Sequence, residues 1–256
     1  METLKVVNLC KTFIISKRQN NVLRNVNLEL KEQEMVAIMG PSGSGKTTLL
    51  YTVSGMDTAS AGSINFFGQE LTALSQNQMS DLRLQKMGFV FQQMYMLKNL
   101  SIYDNIILPA YQSREGSTRK GRVAINDRAR VLMQKLGIAD IADNGVNEVS
   151  GGQLQRACIC RSMINQPNII FADEPTGALN KQSSIEVMDE LNRIHEEGTS
   201  ILLVTHDMKV ASRCDRVLYI EDGTIRDEYV LGKWTGAHEA LTREKKLNNW
   251  LITLGW

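Results

Sequence analysis

Gly40-Pro41-Ser42-Gly43-Ser44-Gly45-Lys46-Thr47 fits GxxxxGK[ST] at every fixed position. The glycines let the backbone curl round phosphate oxygens where a Cβ would clash, and Lys46 reaches the β- and γ-phosphates. In this pattern the Thr47 hydroxyl is a Mg²⁺ ligand, and Thr48 continues a helix whose N-terminus faces the same anion. The plain alternative is a glycine-rich turn, and the apolar run before it and the helical run after it argue against that. A second group is Ile169–Glu174, IIFADE, an apolar strand ending in two carboxylates. Asp173 suits Mg²⁺, often through water, and Glu174 suits the general base that polarises an attacking water. Alone this is a strand meeting a charged surface loop; beside a phosphate loop it reads as hydrolytic chemistry. A third stretch, Ser150–Arg156 (SGGQLQR), is built to hold an anion on bare backbone N–H groups. Gln92, after the strand GFVF, and His206, after ILLVT, are single residues whose unaided reading is a solvated strand end.

The elements that must position these groups follow from periodicity. Leu4–Asn8 and Val22–Leu30 alternate as half-buried strands. Met35–Met39 is a short apolar run, hence a buried strand, followed by the phosphate loop and a helix over Thr47–Ser54. Ile64–Phe67 and Gly88–Gln92 are further strands. From about Ser101 to Gln166 the pattern turns helical, with a helix over Asn126–Leu136 ended by Gly137 and another over Gln153–Asn165 capped by Ser150. Strands return at Ile169–Ala172, Ile201–Val204, Val217–Ile220 and Thr224–Arg226, the last two joined by a turn containing Asp222-Gly223. Alternating strands and helices predict an α/β fold with a mainly parallel sheet. The tail from Gly232 places Ala237, Leu241, Leu247, Trp250, Leu251 and Leu254 on one helical face. It packs on its own domain or on a second copy, or lies on a membrane surface with Arg243, Lys245 and Lys246 outward.

Composition excludes several classes. The 256 residues carry a net charge of +1, without the basic excess of a duplex-binding protein, so no nucleic-acid partner is expected. The densest basic stretch, Gln112–Arg122, reads as a solvated loop. Cys10, Cys158, Cys160 and Cys214 form no CxxC pair, which favours buried free thiols over a metal site or disulfides. The N-terminal METLKVVNLCKTF lacks the apolar core of a signal peptide, and no run of about 18 apolar residues occurs, so membrane contact is expected only through a partner.

The order phosphate loop, Gln after a strand, SGGQ, acidic strand end, His after a strand resembles the nucleotide-binding domain of ABC ATPases. Ser150 precedes Asp173 by 23 residues and Asp173 precedes His206 by 33, both suiting that family. The resemblance covers Leu4 to Arg226. It implies a P-loop NTPase core of ABC type with an N-terminal antiparallel β subdomain and an inserted α-helical subdomain. Residues 1–230 then form one ATPase domain, with 1–92 and 167–230 as core and β subdomain and 93–166 as the helical subdomain. Residues 231–256 form the helical tail. It also implies ATP and Mg²⁺ as ligands and two chains meeting head to tail, each ATP lying between one chain's phosphate loop and the other's Ser150, Gly151, Gly152 and Gln153. Glu174 is then the catalytic carboxylate and His206 a γ-phosphate contact. Gln92 takes a catalytic place where it touches both Mg²⁺ and a moving surface, and Thr205 and Asp207 position the histidine loop. Phe13 falls where the family stacks an aromatic on adenine, with a core Phe as the equal alternative. Asn180 stands in GALN where the family more often has Asp, which alters the charge of that loop but not Glu174 or His206.

GFVFQQMYMLKNLSIYDNIILPA and FADEPTGALN are similar to the ATPases of lipoprotein-release, macrolide-export and bacitracin-type peptide-resistance transporters. That likeness implies an FtsX-like permease partner and a location on the cytoplasmic face of the membrane. Gln93–Leu100, with Met94, Tyr95, Met96 and Leu97, then either meets the permease or fills the subdomain core. A signalling or cell-division type cassette, moving a permease-like partner without transport, has the same ATPase residues. DNA-repair relatives carry a long coiled coil between phosphate loop and signature; here that interval is 104 residues without sustained heptads.

Overall fold

A computed structural model describes residues 2–15 and 18–256. In chain order the strands and helices are β1 (Glu2–Ile15), β2 (Arg18–Lys31), β3 (Met35–Met39), α1 (Lys46–Val53), β4 (Ala61–Phe66), β5 (Gln69–Glu70), α2 (Gln76–Lys86), β6 (Met87–Phe91), α3 (Ile102–Tyr111), α4 (Arg119–Lys135), α5 (Gly151–Met163), β7 (Ile169–Asp173), α6 (Lys181–Glu196), β8 (Ser200–Val204), α7 (Met208–Ala211), β9 (Arg216–Glu221), β10 (Thr224–Val230) and α8 (Ala240–Thr253). The chain divides into two units, the first Met1–Ser75 with Ile194–Trp256 and the second Gln76–Arg193.

The first unit holds an antiparallel sheet in the order β2-β1-β4-β5, as alternation along β1 and β2 predicts. It also holds β10-β9-β3-β8, in which β3 has parallel neighbours on both sides and β10 closes an antiparallel hairpin. Every residue of β3 and β8 is buried, which is why both read as unbroken apolar runs. Register places Ile38 beside Val204 and Met39 beside Tyr219. The chain therefore leaves β3 and β8 at the same sheet edge. Asp222 and Gly223 both have positive φ, 47° and 76°, as the two-residue hairpin turn demands.

The tail folds back on this unit. Leu247 and Leu251 are fully buried, but Leu241, assigned to the same apolar face from the sequence, is 73% exposed. The third member of the buried stripe is Arg243, which the sequence placed on the polar side. Its guanidinium donates to five backbone carbonyls: Ser212 and Cys214 at 2.7 Å, Gly232 at 2.9 Å, Lys233 at 3.1 Å and Leu231 at 3.3 Å. Trp234 lies against it, with the guanidinium carbon 5.6 Å from the ring centroid. A fork of five donors fits a ring of carbonyls as no apolar side chain does, so the residue is internal despite its charge. Trp250 completes the anchoring, donating to Asp227 at 2.9 Å.

In the second unit β6 and β7 pair in parallel, with Phe91 beside Asp173. Helices α2 and α6 were not anticipated. In α2 the only buried residue is Met79, so no apolar stripe announces it. The basic stretch Gln112–Arg122 is not a plain loop: Thr118 caps α4 by accepting from the Gly121 N–H at 3.0 Å, and Arg119–Arg122 form its first turn. Cys158, Cys160 and Cys214 are buried free thiols and Cys10 is half-buried. Burial pushes Cys158 up to about 11 and raises Cys160 and Cys214 further, so all three stay protonated near neutrality. Among the described residues no helix is long and apolar enough to cross a membrane.

Arg243→Met leaves five carbonyls without their donor. It is expected to destabilise the chain by about 2–4 kcal/mol. The urea midpoint should fall with little change in its slope. An unchanged midpoint would show that the tail is held by other contacts.

Candidate functional site

In the first unit the phosphate loop leaves β3 and runs into α1. Gly40 has φ 154°, and a Cβ there would stand 2.0 Å from the Ile220 carbonyl, so only glycine passes this point. Gly43 and Gly45 sit at φ 78° and 102°, in the left-handed region that favours glycine. Gly45 is the N-cap of α1; no side chain caps the helix and no carboxylate lies in its first turn. The start of α1 thus carries the positive end of the helix dipole with no side-chain cap and no acidic residue of its own first turn to offset it. Pro41, Ser42 and Gly43 are exposed, Lys46 and Thr48 half-buried, and Thr47 exposed. Lys46 Nζ donates to the Gly40 and Pro41 carbonyls, 2.8 Å each, so its ammonium lies across the loop. Ser44 Oγ is buried with no hydrogen-bond partner.

The loop is braced from behind by a residue the sequence reading treated only as a turn. Gly223 N–H donates to the Ser44 carbonyl at 3.1 Å and its own carbonyl accepts from Arg24 N–H at 2.9 Å. A Cβ on Gly223 would meet the Val22 carbonyl at 2.2 Å.

At the end of the neighbouring strand β8, Thr205 is fully buried and His206 exposed. Thr205 Oγ1 accepts from Asp207 N–H at 3.0 Å, and Asp207 Oδ1 accepts from Lys209 N–H at 2.8 Å, capping α7. The imidazole is therefore displayed on a turn fixed on both sides, at the sheet edge that carries the phosphate loop. Carboxyl ends of adjacent parallel strands are where α/β sheets bind ligands. Phe13 is half-exposed rather than a core residue, with Lys11 Nζ 4.7 Å from its ring centroid. Lys11 is in turn fixed by Asp57 Oδ1 at 2.6 Å and the Thr58 carbonyl at 2.7 Å.

The second unit carries the other groups. Asp173 closes β7 and is buried; Glu174 follows with φ 46°, a left-handed conformation uncommon for a non-glycine residue. Gly177 N–H donates to the Glu174 carbonyl at 3.0 Å, closing the turn. Gln92 follows β6, is exposed, and lies against this turn: a Cβ on Gly177 would come within 2.9 Å of Gln92 Nε2. Gln92, Asp173 and Glu174 are thus brought together by the parallel pairing of β6 and β7. Ser150 caps α5 as expected, in a reciprocal capping box. Ser150 Oγ accepts from Gln153 N–H at 3.3 Å, and Gln153 Oε1 accepts from Ser150 N–H at 2.9 Å. The Ser150 hydroxyl still has its proton to donate, and α5 has no carboxylate in its first turn. Gly151 is exposed; Gly152 is buried, and a Cβ there would strike Ser183 Oγ at 2.6 Å. Asn180 caps α6, its Oδ1 accepting from Ser183 N–H at 2.9 Å.

Met94 and Met96 are half-buried, while Tyr95 and Leu97 are 63% and 47% exposed, so this segment is not a subdomain core. Its backbone is fixed by Arg161, which donates to the carbonyls of Met94 at 2.7 Å and Tyr95 at 2.8 Å.

These residues suit a nucleoside triphosphate. Gly40 and Gly45 let the loop pack closely against the Ile220 and Val22 carbonyls, where a Cβ would crowd the backbone, and the buried Ser44 hydroxyl has a hydrogen bond left to make. Thr47, Gln92 and Asp173 are all oxygen donors, the chemistry Mg²⁺ selects.

The family model described as ABC transporter matches residues 23–177. The chain is 39% identical over 226 residues to the bacitracin export ATP-binding protein BceA of Halalkalibacterium halodurans, covering 88% of this chain and 87% of that protein. It is 41% identical over 225 residues to the macrolide export ATP-binding/permease protein MacB of Aggregatibacter actinomycetemcomitans, covering 88% of this chain but 34% of that protein. The chain thus spans about a third of the length of the macrolide-export relatives it matches. A solved dimeric structure of the ATP-binding cassette MJ0796, in a post-hydrolysis state bound to ADP and Pi, matches with a TM-score of 0.81 at 34% identity. That match covers 89% of this chain and 98% of the other.

Lys46→Ala removes the ammonium that lies across the loop. Binding of a fluorescent ATP analogue should weaken by about tenfold or more, as loss of a charged phosphate contact implies. Equal affinity in the two proteins would remove Lys46 from the site.

Proposed function

The chain belongs to the ABC transporter family as an ATPase cassette, and on that premise we propose that it powers an export or resistance transporter of the MacB/BceA type. The observation that carries this reading is that one chain owns two glycine-rich, anion-binding motifs at helix starts in different units, GPSGSGKT entering α1 and SGGQ entering α5. A single bound nucleotide needs only the first. Two copies meeting head to tail employ both, each presenting Ser150–Gln153 to the nucleotide on the other's Gly40–Thr48. ATP then acts as an interface ligand whose binding closes the pair and whose hydrolysis releases it.

In this reading Lys46 and the backbone N–H groups of the loop hold the β- and γ-phosphates, and Phe13 takes the adenine. Thr47, Gln92 and Asp173 hold Mg²⁺, which when bound neutralises charge on the phosphate oxygens. Glu174 accepts the proton of the attacking water, and His206 contacts the γ-phosphate from the neighbouring strand end. The exposed Tyr95 and Leu97 meet an FtsX-like permease, and through it the cassette sits on the cytoplasmic face of the membrane. Likeness to BceA over nearly its whole length supports a peptide antibiotic of the bacitracin type as the substrate class. Choice of that substrate lies with the permease.

Glu174→Gln should leave ATP binding intact and cut turnover by roughly 10²–10⁴. With ATP it should run as a dimer on size exclusion, and from native membranes it should co-purify with an FtsX-like permease. A mutant that stays monomeric and retrieves no permease would defeat the transporter reading. Ser150→Arg should block hydrolysis while each chain still binds ATP; lost binding would argue against action across the dimer.

A further inference from the structure

Gln155 lies in α5 just past SGGQ and is 1% exposed. Its Nε2 donates to the Pro175 carbonyl at 2.8 Å and reaches the Phe91 carbonyl at 3.5 Å. Pro175 follows Glu174, and Phe91 precedes Gln92. Both partners are carbonyls, so the amide can stand only one way round; reversed, it would set oxygen against oxygen. Its Oε1 is buried with no hydrogen-bond partner. Leaving that oxygen unpaired costs stability, and an apolar side chain of the same shape would avoid the cost. The residue is therefore placed for its donor. The turn it holds has something to hold: Glu174 stands at φ 46°, which persists only when its surroundings fix it.

We propose that Gln155 is a positioning residue that ties the helix carrying Ser150–Gln153 to the two strand ends carrying Gln92 and Glu174. The anion-binding helix end and the carboxylate then move as one piece. In a head-to-tail pair, engagement of SGGQ by the nucleotide of the second copy is thereby felt at this chain's own Glu174. This couples the two sites through the Gln155 amide, the side chain of α5 that reaches the turn after Glu174, while Arg161 of the same helix holds Met94 and Tyr95 beyond Gln92; it rests on the role assigned to Glu174 above.

Gln155→Met keeps the length and loses the donor. In the purified full chain kcat should fall about tenfold or more, with KM for ATP within about twofold, because the nucleotide's own contacts are untouched. Without nucleotide, amide exchange should quicken in the segments around Phe91–Gln92 and Glu174–Gly177 and stay unchanged in α3. Gln155→Glu, which keeps the donor when protonated, covers the case in which the methionine variant fails to fold. A carboxyl buried against two carbonyls has its pKa raised, so it donates at low pH and loses the contact as pH rises through that value. Its kcat relative to the parent should fall by about tenfold from about pH 6 to about pH 9. A normal kcat in Gln155→Met, a flat pH ratio, or unchanged exchange at both segments overturns the proposal. Glu174→Gln run alongside separates the two readings. If it is inactive while the Gln155 variants are normal, only the positioning role fails; if it turns over normally, both fail.

Discussion

A phosphate held on backbone N–H groups needs a chain that can turn its amides outward, and a Cβ forbids that turn at Gly40. The Ile220 carbonyl stands 2.0 Å from where the Cβ would be. Ile220 belongs to β9, the parallel neighbour of β3, so the constraint on one glycine comes from sheet packing rather than from the loop itself. Much of the first unit serves that approach. The β9–β10 turn places Gly223 behind Ser44, and β2 places the Val22 carbonyl against both Gly45 and Gly223. A helix then begins at Gly45 with no side-chain cap and no acidic residue in its own first turn. That combination attracts an anion and would be destabilising if left buried and dry.

The second principle is parallel pairing. Strands that run the same way end at the same edge, so residues following them become neighbours without being close in sequence. In the first unit this sets His206 on the edge that carries the phosphate loop. In the second it sets Gln92 beside Glu174, 82 positions later. Neither pairing is a matter of side-chain attraction. It follows from β3 beside β8 and β6 beside β7, and β3, β7 and β8 are buried along their whole length while β6 leaves Phe89 and Phe91 half-buried.

Asn180 illustrates how one residue serves structure where a family habit suggests something else. Its side chain caps α6, a task that Asn performs as well as Asp and without placing a charge there. The change of charge in that loop therefore leaves its local geometry intact. Arg243 makes the complementary point. A charged residue is internal when five carbonyls meet its five donors, and the tail is then fixed by polar contacts as well as by Leu247 and Leu251.

By itself the sequence determined the features whose cause is local. The phosphate loop needs glycines and a lysine at fixed spacing, β3 is a five-residue apolar run, Ser150 is a helix cap, and Asp222-Gly223 is a turn; each was readable because backbone sterics or hydrogen bonding act within a few residues. Membership of the ABC ATPases was readable for the same reason, as a series of such motifs in order. What acts between distant segments was not. Helix α2 buries one residue and so leaves no periodic trace. Arg243 looks like a surface charge until the carbonyls of residues 212–214 and 231–233 surround it. Gln155 is an ordinary polar letter within SGGQLQR, and only the fold brings Pro175 and Phe91 to its amide. Burial and hydrogen-bond partners are properties of the packed chain, and no spacing rule encodes them.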